Sequence, residues 1–171
     1  MKKHLFRFVL FSFLMFLVAC NKPKANNEEN ELETNQLEID FIKEGTLNLI
    51  NQENVIKTIE IEIASDDYER QNGLMNRSKI DENKGMLFIF EEPKIQQFWM
   101  KNTRIPLDII YLDENKKVIN IARNTEPYLE TGVPPSATPA KYVLEVNGGS
   151  SDKWGIKEGV TQIDWQEINK N

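Results

Sequence analysis

Residues 58–63 read Thr-Ile-Glu-Ile-Glu-Ile, and this strict alternation of apolar and acidic side chains decides the class of fold. A period of two is the repeat of a β-strand, whose successive side chains point to opposite faces of a sheet. The three isoleucines are therefore predicted to face a core, and Glu60 and Glu62 are predicted to face solvent. The whole strand is predicted at 55–64, in a hairpin with a strand at 46–51.

The rest of the chain continues this pattern of short strands with little helix. Turn signals bound the apolar runs, and Ser65 and Gly73 are a plausible N-cap and stop for one short helix. Four prolines between residues 124 and 140 predict a long loop, Ser150–Trp154 a helical turn, and 113–116 a tight turn. Further strands are predicted at 85–90, 97–100, 108–112, 117–122, 142–146 and 160–165.

Short strands without helices between them argue against a βαβ sheet. We therefore predict a mainly β fold, a compact β-sandwich or small barrel of about seven to nine short strands with one or two short helices. The length of 171 residues allows one ordinary domain with an appendage.

The single His and the single Cys of the chain are His4 and Cys20, both in the first twenty residues. The body of the chain therefore excludes Ser-His-Asp and Cys-His catalytic units, His- or Cys-ligated metal centres and a disulfide framework. Any chemistry there depends on carboxylates, Lys, Arg, Tyr, hydroxyls, amides or the backbone. No cofactor and no metal are expected, and whether the chain is an enzyme stays open.

The N-terminus has the organisation of a signal peptide, predicted at residues 1–19. A basic start precedes an apolar run at 8–19, which as a helix would span about 18 Å, too short for a hydrocarbon core of roughly 30 Å. The run ends in Leu-Val-Ala-Cys at 17–20, which resembles the lipobox of bacterial lipoproteins. That resemblance implies cleavage before Cys20 and acylation of its thiol, such as with palmitate.

A lipid-anchored protein of the bacterial cell envelope, on the periplasmic or cell-surface side, is therefore expected. Residues 20–40 are predicted as the lipidated Cys20 and a disordered Asn- and Glu-rich linker, and residues 41–171 as the globular domain. Without residues 1–19 the chain keeps 18 basic and 27 acidic residues and a charge of −9. An acidic chain without a basic cluster is a poor nucleic-acid binder. The membrane, through the lipid, is the expected partner, and the domain is expected to be monomeric.

Four motifs follow one another in the body of the chain. They are ERQNGLMNR at 69–77, GMLFIF at 85–90, FWMKNT at 98–103 with IPLDIIY at 105–111, and YVLEVNGG at 142–149 with GIKEG at 155–159. In this order they resemble the domain of unknown function 192 family over about residues 46–165. The resemblance implies a compact β-rich domain that is often exported or lipid-anchored, and it implies no established reaction.

The candidate binding residues are polar or aromatic positions in and near these motifs: Arg70, Trp99, Lys101, Asn102, Asp108 and Glu145. Trp99 is interpreted either as a half-buried core residue or as a stacking platform. Asp108 and Glu145 lie within apolar strands and would need cations or donors if both sheet faces were covered. The group is read either as a ligand site or as buried salt bridges that fix the fold, and the second reading is favoured.

Three functions follow from these residues. The favoured one is a non-catalytic envelope module that binds a small molecule, a glycan or a protein. The alternative is a carboxylate-based hydrolase of an envelope polymer, with Asp108 and Glu145 as acid and base about 5–10 Å apart across a groove. A Ca²⁺ site of oxygen ligands is the third, although no EF-hand-like loop is present.

Overall fold

A computed structural model describes residues 38–168. The predicted signal peptide, Cys20 and almost all of the predicted linker lie outside the described residues, so the predictions made for them stay predictions. The described range contains seven strands and two short helices: β1 Gly45–Asn51, β2 Asn54–Ala64, α1 Asp67–Asn72, β3 Lys84–Lys94, β4 Leu107–Leu112, β5 Val118–Thr125, β6 Ala140–Asn147, α2 Ser150–Trp154 and β7 Gln162–Glu167.

All seven strands form one sheet with the order β5-β4-β6-β3-β2-β1-β7. The β2–β3 pair is parallel and every other pair is antiparallel. The sheet curls so far that its two edges meet, since Lys117 before β5 bridges to Gln162 in β7 and the Val118 amide donates to the Thr161 carbonyl at 2.9 Å. The mainly β prediction is confirmed, in the form of a curled half-barrel.

Apolar side chains cover both faces of the middle of this sheet. The inner cluster fills the curl of the half-barrel and consists of Leu47, Leu49, Ile59, Ile61, Leu87, Ile110, Leu112, Val118, Ile121, Leu144, Val146, Ile156 and Ile163. The outer cluster lies on the opposite face and consists of Ala64, Leu74, Met86, Phe88, Met100, Ile105, Leu107, Ile109, Tyr111, Ala122, Val133, Ala140 and Val143. A strand covered on both faces is expected to be mostly apolar, and β4, which is buried at every position, contains one charged residue, Asp108.

Burial of the outer face of the sheet corrects the prediction that Glu62 faces solvent. Ile59 and Ile61 enter the inner cluster as predicted, but Glu62 is buried on the outer face. There the Arg77 guanidinium donates to both of its oxygens, at 2.6 and 3.1 Å. Period-two alternation reports that two faces differ, and it does not report which face is covered by another part of the chain.

Two further local predictions are corrected. The short helix α1 is confirmed, but its N-cap is Asp66 and not Ser65, in a capping box with Glu69. The strand predicted at 97–100 does not form. Residues 95–106 instead cross the outer face as an irregular segment, held where the Met100 amide donates to the Leu129 carbonyl at 2.7 Å.

In residues 38–168 neither helix is long enough to cross a bilayer.

Candidate functional site

The outer face of the sheet carries a cleft of about 430 Å³ between α1, the end of β3 and the irregular segment 95–106. Aromatic side chains form one wall, and polar side chains with one guanidinium form the rest. The lining residues are Arg70, Gln71, Phe90, Gln96, Gln97, Phe98, Trp99 and Glu130. Known small-molecule sites have this mix of apolar wall and few polar groups, at volumes of about 300–1,000 Å³.

A smaller pocket continues from this cleft toward the sheet. It shares Arg70, Gln71, Phe98 and Trp99 with the cleft, and its volume of about 20 Å³ is room for a single water-sized group. Deeper in, its lining comes from the turn after α1, from Phe88 and Thr103, and from the Glu145 side chain. The Glu145 carboxyl is therefore a polar group that a molecule in the cleft can approach.

Glu145 is 4% exposed, and within residues 38–168 its carboxyl accepts no hydrogen bond and forms no ion pair. A buried carboxylate normally has donors or a cation, because losing its hydration is costly. Burial raises the pKa of Glu145 to about 8, and the nearby Arg77 guanidinium opposes part of that rise. The carboxyl is therefore mostly protonated at neutral pH and can donate as well as accept a hydrogen bond.

The sheet register places Glu145 in a row of outward side chains across three strands. Glu62 on β2 is level with Met86 on β3, and Met86 is level with Glu145 on β6. Arg77 satisfies Glu62, and its Nε is buried without an acceptor. The row thus contains two buried acids, and the buried Arg77, which lies outside the sheet, pairs with the acid that does not line the pocket.

Arg70, one of the candidate binding residues, lines both the cleft and the pocket. Its guanidinium is already engaged, because it donates to the Ile89 carbonyl at 2.8 Å, to the Ser65 carbonyl, and to Asp67 Oδ1 at 2.7 Å. It also lies 5.4 Å from the centre of the Phe90 ring. These contacts hold Arg70 as a fixed part of the wall.

Trp99 is 42% exposed at the mouth of the cleft, which fits the stacking-platform interpretation better than the core interpretation. Phe98 lines the same cleft, and its ring contacts Phe88 and Tyr111 edge-on. A strand at 97–100 would direct Phe98 and Trp99 to opposite faces, and without that strand both residues line the cleft.

Lys101 and Asn102 do not line the cleft or the pocket. The Lys101 ammonium lies over the Trp99 ring, 5.6 Å from its centre. Asn102 adopts a left-handed backbone conformation, with φ of 53°, and its carbonyl accepts the Asn76 amide at 2.8 Å. The role of Asn102 in the structure is thus in shaping the turn.

Gly73 lies where α1 ends and the pocket begins. Its φ is +48°, and a Cβ added there would lie 3.1 Å from the Phe88 ring and 3.7 Å from Glu145 Oε2. Both the backbone conformation and the close approach require glycine at this position. The predicted helix stop therefore also forms a wall of the pocket.

Asp108 is fully buried, and its carboxylate is saturated by backbone amides. Oδ1 accepts from Asn124 and Gly149 at 2.7 and 3.0 Å, and Oδ2 accepts from Ser151 at 2.7 Å. Gly149 is the N-cap residue of α2 and has no side chain to accept from the first turn, so the Asp108 carboxylate caps the helix instead. Asp108 therefore fixes the backbone of β5 and the start of α2, and it lines neither the cleft nor the pocket.

The acid–base pair of the hydrolase alternative is not formed. Asp108 is level with Val146, an inner-cluster residue, whereas Glu145 is level with Ile109, an outer-cluster residue. Residues level across two strands share a face, so the two carboxyls lie on opposite faces of the sheet. One groove cannot contain both.

Several site residues were missed by sequence reasoning. The missed residues are Gln96, Gln97, Phe98, Thr103 and Glu130. Gln97 and Phe98 fell within a predicted strand and Glu130 within a predicted Pro-rich loop. The aromatic spacing of Phe88, Phe90 and Phe98 was the one available signal. Among residues 38–168 no cluster of three acids, His or Cys is arranged to hold a metal ion.

Glu145→Gln is expected to stabilise the protein increasingly as the pH rises. The folded-state pKa of about 8 lies above the ordinary 4.5, so the contribution of Glu145 to stability is full below pH 4.5 and is lost as the pH rises to about 8. Gln does not ionise. Urea unfolding between pH 5 and 9 measures the free energy of unfolding of the variant and of the parent chain. The difference between them should increase by at most about 1.4 kcal/mol per pH unit and become constant above about pH 8.

The matched control for this prediction is Glu114→Gln, which changes an exposed carboxylate in the β4–β5 turn. Its difference from the parent chain should stay near zero over the same pH range. An equally flat difference for Glu145→Gln would show that Glu145 is not held in a low-dielectric environment.

Comparisons with known proteins agree with this architecture. Two solved structures match. One is a protein of unknown function from Novosphingobium aromaticivorans DSM 12444, with 37% sequence identity, a TM-score of 0.66, and coverage of 70% of this chain and 84% of that chain. The other is a protein described as a candidate transcription regulator from Sinorhizobium meliloti 1021, with 31% sequence identity, a TM-score of 0.67, and coverage of 75% of this chain and 98% of that chain. No curated protein matches. The family model of domain of unknown function 192, described as an uncharacterized ACR, matches residues 48–164. This chain belongs to the domain of unknown function 192 family.

Proposed function

We propose that this protein is a lipid-anchored bacterial envelope protein that binds a small molecule in the Trp99–Glu145 cleft without transforming it. The observation that carries the binding role is the Glu145 carboxyl, which is buried, unpaired and open to the cleft through a pocket of about 20 Å³. A ligand that hydrogen-bonds this group would offset the cost of its burial. The half-exposed Trp99 offers the ligand a flat apolar surface at the mouth.

The same geometry favours binding over hydrolysis. Glycoside hydrolysis needs two carboxyls across one groove, and Asp108, on the other face, is committed to three backbone amides. Glu130, which lines the cleft, is an exposed loop residue. Among residues 38–168, Glu145 is the one buried acid that lines the cleft or the pocket. One acid in an aromatic pocket suits recognition.

The description of the Sinorhizobium protein as a candidate transcription regulator concerns that protein. Nucleic-acid binding is driven by phosphate contacts from clustered cations. This chain carries 27 acids against 21 Lys and Arg, so we favour a small neutral or cationic ligand over nucleic acid.

The anchoring part of the proposal rests on the sequence. Residues 1–19 have the form of a signal peptide and Cys20 ends a lipobox-like tetrapeptide. Two or three acyl chains on Cys20 would bind the membrane stably, and residues 21–40 would act as a tether of about 25 Å. The domain would then bind its ligand close to a bacterial membrane.

A ligand panel tests the binding role. Full-length protein in detergent is screened by thermal shift against monosaccharides, amino acids, amines, carboxylates and nucleosides, together with Trp99→Ala and the control Tyr68→Ala, an aromatic outside the cleft. We expect at least one ligand whose shift disappears in Trp99→Ala and persists in Tyr68→Ala. Shifts that are absent, or equal in both variants, would overturn the binding role.

Fractionation tests the anchor. Cys20→Ser should move the protein from the membrane fraction to the soluble fraction of the envelope, because the acylated thiol is missing. Membrane association that is unchanged in Cys20→Ser would contradict lipid anchoring.

A further inference from the structure

The innermost pocket has a size and chemistry that select among ligand groups. We propose that the ligand bound by this protein presents a primary ammonium group, which enters the pocket and forms an ion pair with Glu145. This inference rests on the proposed binding function and names the chemical class of its ligand.

Size is the first argument. The volume of about 20 Å³ admits one water-sized group, and a primary ammonium is of that size. A trimethylammonium group is several times larger. Phe88, Phe98 and Gly73 define the walls, and the Phe88 ring is part of the buried outer cluster, so the pocket cannot widen without repacking that cluster.

Unsatisfied bonding is the second argument. Glu145 has no donor within residues 38–168, and the neighbouring bases are committed elsewhere. Arg77 forms a two-bond pair with Glu62, and Arg70 donates to two carbonyls and to Asp67. A cationic donor from a ligand is therefore the missing partner of a carboxyl that the protein itself leaves unpaired.

The charge at the mouth is the third argument. The cleft and the groove adjoining it along α1 and β3 share Arg70, Phe90 and Gln96. Together their acids outnumber their bases, since the acids are Asp66, Asp67, Glu91, Glu92 and Glu130 and the bases are Arg70 and Lys94. This field attracts a cation and repels an anion, whereas a neutral hydroxyl gains nothing from it.

Binding of an ammonium should release a proton from Glu145. The charged or titratable groups near this carboxyl are Arg70 on α1, Arg77 with its partner Glu62, and Tyr111 on β4, whose phenol has a pKa raised by burial and then by Glu145. None of them is a free cation. The affinity for an ammonium should therefore rise about tenfold from pH 6 to pH 7 and level above about pH 8.

Four probes of one shape and different head group test the inference on the full-length protein in detergent. They are phenethylamine, phenethyl alcohol, phenethyltrimethylammonium and phenylpropionate, with binding followed by NMR shift perturbation and calorimetry. We expect phenethylamine to bind at least tenfold more tightly than the other three, with proton release at pH 7. Glu145→Gln should lose at least tenfold of that affinity while staying folded, and Glu114→Gln should lose none.

The outcomes separate this inference from the function on which it rests. Equal binding of phenethylamine to Glu145→Gln, equal binding of the trimethylated probe, or affinity that does not change with pH would overturn the ammonium assignment. Trp99-dependent ligands found only among uncharged or anionic compounds would overturn it too and leave the binding function standing. No Trp99-dependent ligand of any kind would remove both.

Discussion

Arg77→Met should lower the free energy of unfolding by about 3–5 kcal/mol, one of the two largest effects expected in this protein. The Arg77 and Glu62 side chains are only 6% and 7% exposed, and two hydrogen bonds of 2.6 and 3.1 Å join them. Removing the guanidinium leaves the Glu62 carboxylate buried without its cation, beside the already unpaired Glu145. Chemical denaturation at pH 7 measures the loss.

The matched control for this substitution is a second ion pair, whose acid, Glu60, lies two residues before Glu62 on β2. Lys43 and Glu60 form a pair with side chains 40% and 42% exposed, so Lys43→Met should cost at most about 1 kcal/mol. Similar losses for Lys43→Met and Arg77→Met would contradict the burial of the outer face at Glu62.

Asp108→Asn is the second large effect, with an expected loss of about 3 kcal/mol or more. The substitution keeps the shape but replaces one acceptor oxygen by an NH₂ group, which cannot accept the hydrogen bonds that Asp108 now receives. Those bonds come from Asn124, Gly149 and Ser151, and charged acceptors contribute about 1.5–3 kcal/mol each. β5 and the start of α2 should both loosen, as amide hydrogen exchange can show.

Asp113→Asn is the control for Asp108→Asn. Asp113 also accepts two backbone amides, from Asn115 and Lys117, but both go to Oδ1 in a turn where Asn is well suited. The change should be within about 0.5 kcal/mol. A stable Asp108→Asn that loses ligand binding would instead place Asp108 in the site, against its position in the sheet.

Local patterns predicted the strands well because each strand carries its own signal. Alternation in β2 and apolar runs in β3, β4 and β6 were enough to place them to within a few residues, and Gly73 marked the end of α1. The burial of Glu62 escaped prediction because parts of the chain distant in sequence cover it: Arg77, after α1, donates to both of its oxygens, and the Ile42 amide, before β1, donates to Oε1 at 3.0 Å. Such coverage is tertiary information.

Part of the candidate site could also be predicted from local sequence signals. Arg70, Trp99 and Glu145 were among the candidate binding residues of the sequence, and all three line the cleft or the pocket. Asp108 gave an identical signal, an acid within an apolar strand. The β4–β6 register and the position of α2 decide that Asp108 meets backbone donors and that Glu145 lines the pocket.

The central claim is that Glu145 is an unpaired carboxyl that accepts a hydrogen bond from a bound ligand. An NMR titration of its side-chain carboxyl carbon in the full-length protein tests this claim most directly. The signal is assigned by its disappearance in Glu145→Gln. We predict a midpoint of about 8 in the free protein, moving to lower pH by at least about one unit when phenethylamine saturates the cleft. A midpoint near 4.5 in the free protein, or one that saturating amine leaves unmoved, would contradict the claim.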